Sequence, residues 1–240
     1  ASKEAAEVLS SCIGRGMLLL KGERPVIGEE YRTIVFMEGA GFHTLQGVAK
    51  IGKGCDKISG DTFLMTELPG GKEGVVLSDG MGSGESAFKE SAMVVELLEE
   101  LLGAGFPPET AIRMMNTALV AGREEVRFST VDMCIFDLYQ GTCEILKAGA
   151  SVTFIRSRGG VEKISSDSLP VGVVQELEIE KSVRQLEDGD FVVMVTDGVL
   201  DALPVGEQEA MLGALIGGTT ICNPEELAHY ILEQVLELSG

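Results

Sequence analysis

The chain is expected to fold as an α+β protein in which antiparallel sheets are covered by helices. Two observations carry that expectation. Short alternating or β-branched segments follow one another through glycine-containing turns, and a pair of helical segments interrupts them before the strands resume. Composition is the third: 45% of the 240 residues are hydrophobic, enough to bury a sizeable core.

Strands are expected over 44–51, 61–68, 74–78, 130–139, 142–148, 152–156, 161–164, 177–186 and 191–196. The turns Pro69-Gly70-Gly71, Arg158-Gly159-Gly160 and Asp188-Gly189 separate several of them, and connections this tight join antiparallel neighbours. A helix over about 85–102 gathers Ala87, Val94, Leu98 and Leu101 on one face. A second follows Pro107-Pro108, carries Ile112, Met115 and Leu119, and ends near Gly122. A last helix opens at Asn223, with Pro224 in its first turn and Glu226 three residues on, a capping signature; Leu227, Ile231 and Val235 form its apolar stripe. Two helices in direct succession argue against a parallel Rossmann sheet, although the same order fits several α+β folds. The one candidate boundary is the glycine-rich stretch Glu38-Gly-Ala-Gly-Phe42. Residues 1–43 are therefore read as an amino-terminal extension or linker and 44–240 as the main domain.

A formal net charge of -19 argues against nucleic acid and anionic lipid as partners, since both are bound through clustered Lys and Arg. Apolar runs such as Phe191 to Val195 fall far short of the roughly 20 residues a membrane-spanning helix needs. The five cysteines (Cys12, Cys55, Cys134, Cys143, Cys222) are odd in number and scattered, without a Cys-x-x-Cys pair, which fits a reducing cytoplasm better than a disulfide framework or a zinc site. His43 and His229 lie far apart, without metal-ligand spacing. The chain opens Ala-Ser-Lys-Glu without an initiating Met, as a piece of a longer protein would.

Three aspartates stand beside glycine at expected strand ends: Asp61 in Ile58-Ser-Gly-Asp61, Asp79 in Val75-Val-Leu-Ser-Asp79-Gly80, and Asp197 in Val193-Met-Val-Thr-Asp197-Gly198. A hairpin between Asp61 and Asp79 would set the start of one strand beside the end of its partner. Converging carboxylates repel, so they call for a counter-charge, which a hard divalent cation with oxygen ligands supplies: Mg²⁺ or Mn²⁺. Taken singly, each Asp-Gly pair also reads as an ordinary turn.

Six motifs in order carry a resemblance: Ile58-Ser-Gly-Asp61, Leu77-Ser-Asp-Gly-Met-Gly-Ser-Gly84, Phe128-Ser-Thr-Val-Asp-Met133, Lys147-Ala-Gly149, Leu169-Pro-Val-Gly172 and Val195-Thr-Asp-Gly198. From about residue 44 to 240 the sequence resembles the stage II sporulation protein E branch of the 2C-type phosphatases. The resemblance implies an αββα sandwich, two stacked antiparallel sheets flanked by helices, with a centre of two Mn²⁺ or Mg²⁺ ions at one end. It implies Asp79 as the ligand shared by both ions, Gly80 as a carbonyl ligand, and Asp61 and Asp197 as further ligands. These aspartates are the expected catalytic set, delivering a metal-bridged hydroxide to a phosphoserine or phosphothreonine protein. By the same resemblance the substrate is a phosphorylated anti-anti-sigma factor of sporulation or stress signalling, met in the cytoplasm, and the resemblance also allows this to be the cytoplasmic domain of a membrane-tethered parent. Ser129 to Asp132 and Leu169 to Gly172 are expected in buried strand and turn roles. The family's final Asp-Asp-Met-Thr strand does not appear before Gly240. One metal position is then expected to be weak, and a sheet edge left open that favours a homodimer.

Rival readings are weaker. Gly82-Ser-Gly84-Glu-Ser-Ala87 fits a dinucleotide fingerprint but is followed by a second helix, and no Gly-Lys-Ser/Thr completes a P-loop. Thr196-Asp-Gly-Val-Leu-Asp201 resembles a haloacid-type phosphatase motif, but Val195 stands where its nucleophile would be. The remaining alternative is a non-catalytic, phosphatase-like domain that binds a regulatory protein.

Overall fold

The computed structural model describes residues 2–20, 26, 31, 33–52, 59–82, 84–121 and 128–239. Helix α1 (Ser2–Ile13) packs on β1 (Met17–Leu19), which pairs antiparallel with β2 (Phe36–Glu38). The main sheet begins with the hairpin β3 (Asp61–Leu68) and β4 (Lys72–Asp79). In its turn Gly70 (φ 82) and Gly71 (φ 70) take left-handed backbone that side-chain-bearing residues resist. Helices α2 (Glu85–Gly103) and α3 (Pro108–Ala121) follow, then β5 (Val131–Asp137), β6 (Thr142–Ala148), β7 (Thr153–Ser157), β8 (Gly160–Ile164), β9 (Glu180–Gln185) and β10 (Phe191–Met194). Three helices close the described chain: α4 (Asp197–Asp201), α5 (Gln208–Gly218) and α6 (Pro224–Leu238).

Antiparallel pairing gives a five-stranded sheet of order β3-β4-β5-β6-β9 and a three-stranded sheet of order β10-β7-β8. Side-chain alternation then sorts the apolar residues into three layers. Cys134, Cys143 and Ile145 of the large sheet meet Ile155, Val192 and Met194 of the small one, so the sheets stack face to face. On the outer face of the large sheet, Val76, Met133 and Leu146 pack against Val94 and Leu98 of α2 and Ile112 and Met115 of α3. On the outer face of the small sheet, Phe154 and Val193 pack against Leu212 and Ile216 of α5 and Leu227 and Ile231 of α6. The layers run helix, sheet, sheet, helix, the expected αββα sandwich.

Most expected elements form within a few residues of their expected ends. Asn223 caps α6 as its signature indicates, its side chain accepting from the N–H groups of Glu225 and Glu226. Residues 44–51 depart from expectation: they make no strand. They are held instead by separate contacts, Thr44 to Glu73 and the Val48 N–H to Glu225 Oε2 at 3.1 Å, while Gly47 lies so close to the start of α6 that a Cβ there would sit 2.1 Å from the Pro224 backbone. Helix α5 gives no sequence signal because Met211-Leu-Gly-Ala-Leu-Ile-Gly217 is apolar or glycine all round and shows no stripe. Its glycines let it lie directly on the small sheet, Gly213 against Phe154 and Gly217 against Val161. No helix among the described residues is long and apolar enough to cross a membrane. Cys12, Cys134, Cys143 and Cys222 are free thiols; Cys55, Ile58, Ser83 and Gly122 lie outside the described residues.

Candidate active site

The β3–β4 hairpin sets Asp61, the first residue of β3, directly opposite Asp79, the last of β4. The register is full over the whole length of the hairpin, so the pairing follows from where its turn falls. Asp197 comes from the other sheet. It lies not at a strand end, as its motif suggests, but as the first residue of α4: β10 stops at Met194, and Thr196 is the extended N-cap. A carboxylate in a first helical turn is favoured by the unpaired N–H groups there, which explains the local change from strand to helix.

These three aspartates meet at one end of the sandwich. Asp79 is half-buried and within hydrogen-bonding reach of both Asp197 and Asp61. Burial, aided by those two neighbours, pushes the Asp79 carboxyl up to about 9. Each of these influences acts in the raising direction, and no cationic side chain among the described residues opposes them. The Lys50 ammonium is taken by the Asp61 main-chain oxygen at 2.5 Å and lies over the Phe88 ring. Asp61 Oδ2 accepts from Ser59 Oγ at 2.9 Å and from Thr196 Oγ at 3.3 Å, so a hydroxyl of the small sheet's edge holds an aspartate of the large one.

The loop around Gly80 is fixed from both sides. Gly80 and Ser129 form an isolated antiparallel bridge, and Ser129 bridges on to Val171. Thr130 donates its N–H to the Asp79 main-chain oxygen at 2.9 Å, and its hydroxyl accepts from the Asp79 N–H at 2.9 Å. Ser129, Val131, Asp132 and Val171 are buried as expected of the segments Ser129 to Asp132 and Leu169 to Gly172, whereas Leu169 is exposed. Asn116, buried on α3, secures the second by accepting from the Gly172 N–H at 2.8 Å and donating to the Val174 carbonyl at 2.9 Å. On the opposite side the backbone of α2 rests on Gly80, where a Cβ would sit 2.1 Å from the Ala87 carbonyl oxygen. Ser91 of α2 also donates to the Gly60 carbonyl at 2.5 Å.

Behind the acids a cavity of about 150 Å³ runs between the sheets, lined by Asp79, Thr130, Asp132, Ser151 and Asp197 among others. Asp132 is buried and salt-bridged to Lys147 at 2.7 Å. Burial raises its carboxyl, against the downward pull of the Lys147 ammonium and the Thr153 hydroxyl. Sequence reading placed Asp132 and Lys147 in motifs but saw no pair. The signal that could have revealed it is two opposite charges in expected neighbouring strands at positions otherwise flanked by apolar residues.

Among the described residues, no group of three or more His, Cys, Asp or Glu side chains is already closed around a point in metal-binding geometry. The donors instead form a row centred on Asp79. Their chemistry nevertheless fits a hard divalent cation: oxygen donors alone, three carboxylates, and among the described residues no cationic side chain competing for the central one.

Two stacked antiparallel sheets with helices outside both, and an acidic cluster where the sheet ends meet, define a PP2C-type phosphatase domain. The SpoIIE family model, stage II sporulation protein E, matches residues 69–240. The chain is 29% identical to stage II sporulation protein E of Bacillus subtilis (strain 168) and 31% identical to that of Priestia megaterium, in each case over 98% of its own length. It spans 28% and 40% of those two relatives. The solved PP2C phosphatase domain and fragment of the regulatory domain of SpoIIE from Bacillus subtilis superposes with a TM-score of 0.83 at 29% identity, covering 99% of this chain and 71% of that one. The chain belongs to the stage II sporulation protein E family.

Proposed function

We propose that this domain is a divalent-metal-dependent protein phosphatase that removes phosphate from phosphoserine or phosphothreonine in a protein substrate. The observation that carries the reading is the row Asp61, Asp79 and Asp197, gathered from the large sheet and the start of α4 around a carboxyl that has no cationic partner among the described residues. Asp79 would be shared by two Mn²⁺ or Mg²⁺ ions, with Asp61, Asp197 and the Gly80 carbonyl holding them from either side. Bound there, the cations would supply an acidified water at neutral pH and charge stabilisation for the phosphoryl oxygens.

The chain's own residues have the remaining tasks. Thr130 holds the Asp79 main chain through two hydrogen bonds, and Ser59 and Thr196 orient the Asp61 carboxylate. The exposed position of Asp197 and Gly198 leaves the acids open on their outer side, where a phosphorylated side chain can approach from another protein. No protein nucleophile is called for.

For the substrate we favour a phosphorylated anti-anti-sigma factor, encountered in the cytoplasm, as the family resemblance implies. The test is phosphate release from phosphoserine, phosphothreonine and phosphotyrosine proteins with Mn²⁺, with Mg²⁺ and with chelator. Release from the first two only, silenced by chelation, is the expected result. Preference for phosphotyrosine, or release in chelator, would contradict the reading.

A further inference from the structure

Asp132 and Lys147 lie opposite one another in the β5–β6 register, on the face of the large sheet that meets the small sheet. Their side chains are 2% and 1% exposed, an unusual depth for two formal charges. The same β5 residue is level with Leu77 of β4, two positions before Asp79 and on the same face. The pair therefore sits one step inward from the acidic row.

Its bonds cross between sheets. Asp132 Oδ2 accepts from Lys147 Nζ at 2.7 Å and from Thr153 Oγ, on β7 of the small sheet, at 2.6 Å. Lys147 Nζ also donates to the Ser151 carbonyl at 2.5 Å, in the connection leading into β7. Thr153 is in turn level with Met194, the last residue of β10, three before Asp197. The route from Asp79 to Asp197 through strand pairing and this staple is short, and its middle, Asp132, Lys147 and Thr153, is buried.

One oxygen remains unused. Among the described residues Asp132 Oδ1 and Ser151 Oγ are buried without a hydrogen-bond partner, and both residues line the cavity shared with Asp79 and Asp197. A buried ion pair adds little stability over apolar residues of similar volume, so stability alone does not account for one here. An unsatisfied carboxylate oxygen facing a polar cavity of this size is a seat for water.

We propose that Asp132 is a positioning residue for the acidic centre: tied to Lys147 in its own sheet and Thr153 in the facing one, it sets the spacing of Asp79 and Asp197 and anchors water between them through Oδ1. Only the metal readout below rests on the proposed phosphatase chemistry.

The test compares the parent with the double variant Asp132→Leu/Lys147→Met, which removes both charges together, and with Thr153→Val, which removes only the hydroxyl linking the sheets. The double variant is expected to melt no lower than the parent. In metal-free buffer its amide exchange should be several-fold faster at 77–80 and 195–198. Its Mn²⁺ affinity should be weaker by about tenfold, with kcat restored at excess Mn²⁺ and KM for the phosphoprotein unchanged. Thr153→Val should shift the same readouts in the same direction, less far, and decides the matter alone if the double variant does not fold. Parent-like exchange at both segments in a folded variant would overturn the proposal. A parent that ignores Mn²⁺ would count against the phosphatase reading, while the exchange readout would still decide the role of Asp132.

Discussion

Replacing Gly80 with alanine should separate the role of α2 from that of the aspartates. A Cβ at this position would lie 2.1 Å from the Ala87 carbonyl oxygen, 2.7 Å from its carbonyl carbon and 3.0 Å from its Cα. All three are helix backbone, so no side-chain rotation relieves the clash, and α2 must withdraw from β4 by about 1 Å. Retreat of Gly80 in the other direction is blocked by its bridge to Ser129 and by the Met81 N–H bond to the Phe128 carbonyl at 3.2 Å. Overpacking of this kind costs about 1–3 kcal/mol, and for a chain of this size about 2 kcal/mol lowers Tm by about 4–8 °C. The control is Gly103→Ala in the same helix, where a Cβ meets nothing within 4 Å. That change should be neutral or raise Tm slightly, since alanine is favoured over glycine in a helix by up to about 1 kcal/mol. Differential scanning calorimetry on both variants, with Mn²⁺-dependent phosphate release alongside, reads the two effects. Gly80→Ala should lose activity well below its own Tm, because the displaced helix is the support that Asp79-Gly80 rests on. A Gly80→Ala protein with the parent's Tm and activity would refute the packing argument.

The raised Asp79 carboxyl makes stability depend on pH in a defined direction. In the unfolded chain this group loses its proton near 3.8, whereas in the fold it keeps it up to about 9. The native state therefore holds more protons through that window, and stability without metal falls as pH rises from about 4 to about 9. Asp79→Asn should flatten that slope and melt higher than the parent at pH 8 in chelator, measured by thermal unfolding across pH. Asn116→Ala should cost about 1–3 kcal/mol, read from the denaturant midpoint, because it leaves the part-buried Gly172 N–H and Val174 carbonyl without their side-chain partner.

The layers of this fold were largely legible from periodicity. Val94, Leu98, Ile112 and Met115 announce helices with one buried face, and the turns at Gly70-Gly71 and Asp188-Gly189 delimit strands whose pairing is then antiparallel. What escaped has physical reasons. Segment 44–51 alternates like a strand, yet is fastened by side-chain and backbone contacts to Glu73 and α6 rather than by a ladder. Helix α5 lacks a polar face, and α4 is a single turn too short to show a period. At the candidate site, glycine-flanked aspartates mark where acids gather, but their mutual distances depend on stacking two sheets that are remote in sequence. The Asp132–Lys147–Thr153 staple is hidden in part for the same reason: opposite charges in neighbouring strands signal its Asp132–Lys147 pair, but only the fold makes Thr153 of β7 a neighbour of Asp132.

The central claim, that Asp79 is the hub of a two-cation phosphatase centre, is tested most directly by phosphate release from a phosphoserine protein across a Mn²⁺ titration, for the parent and for Asp79→Ala. The account predicts a parent that is active with Mn²⁺ and silent in chelator, and an Asp79→Ala protein that folds but is slower by about a thousandfold or more at every Mn²⁺ concentration, since about 4 kcal/mol of transition-state stabilisation is lost with the shared ligand. Hydrolysis by Asp79→Ala at the parent's rate would contradict it.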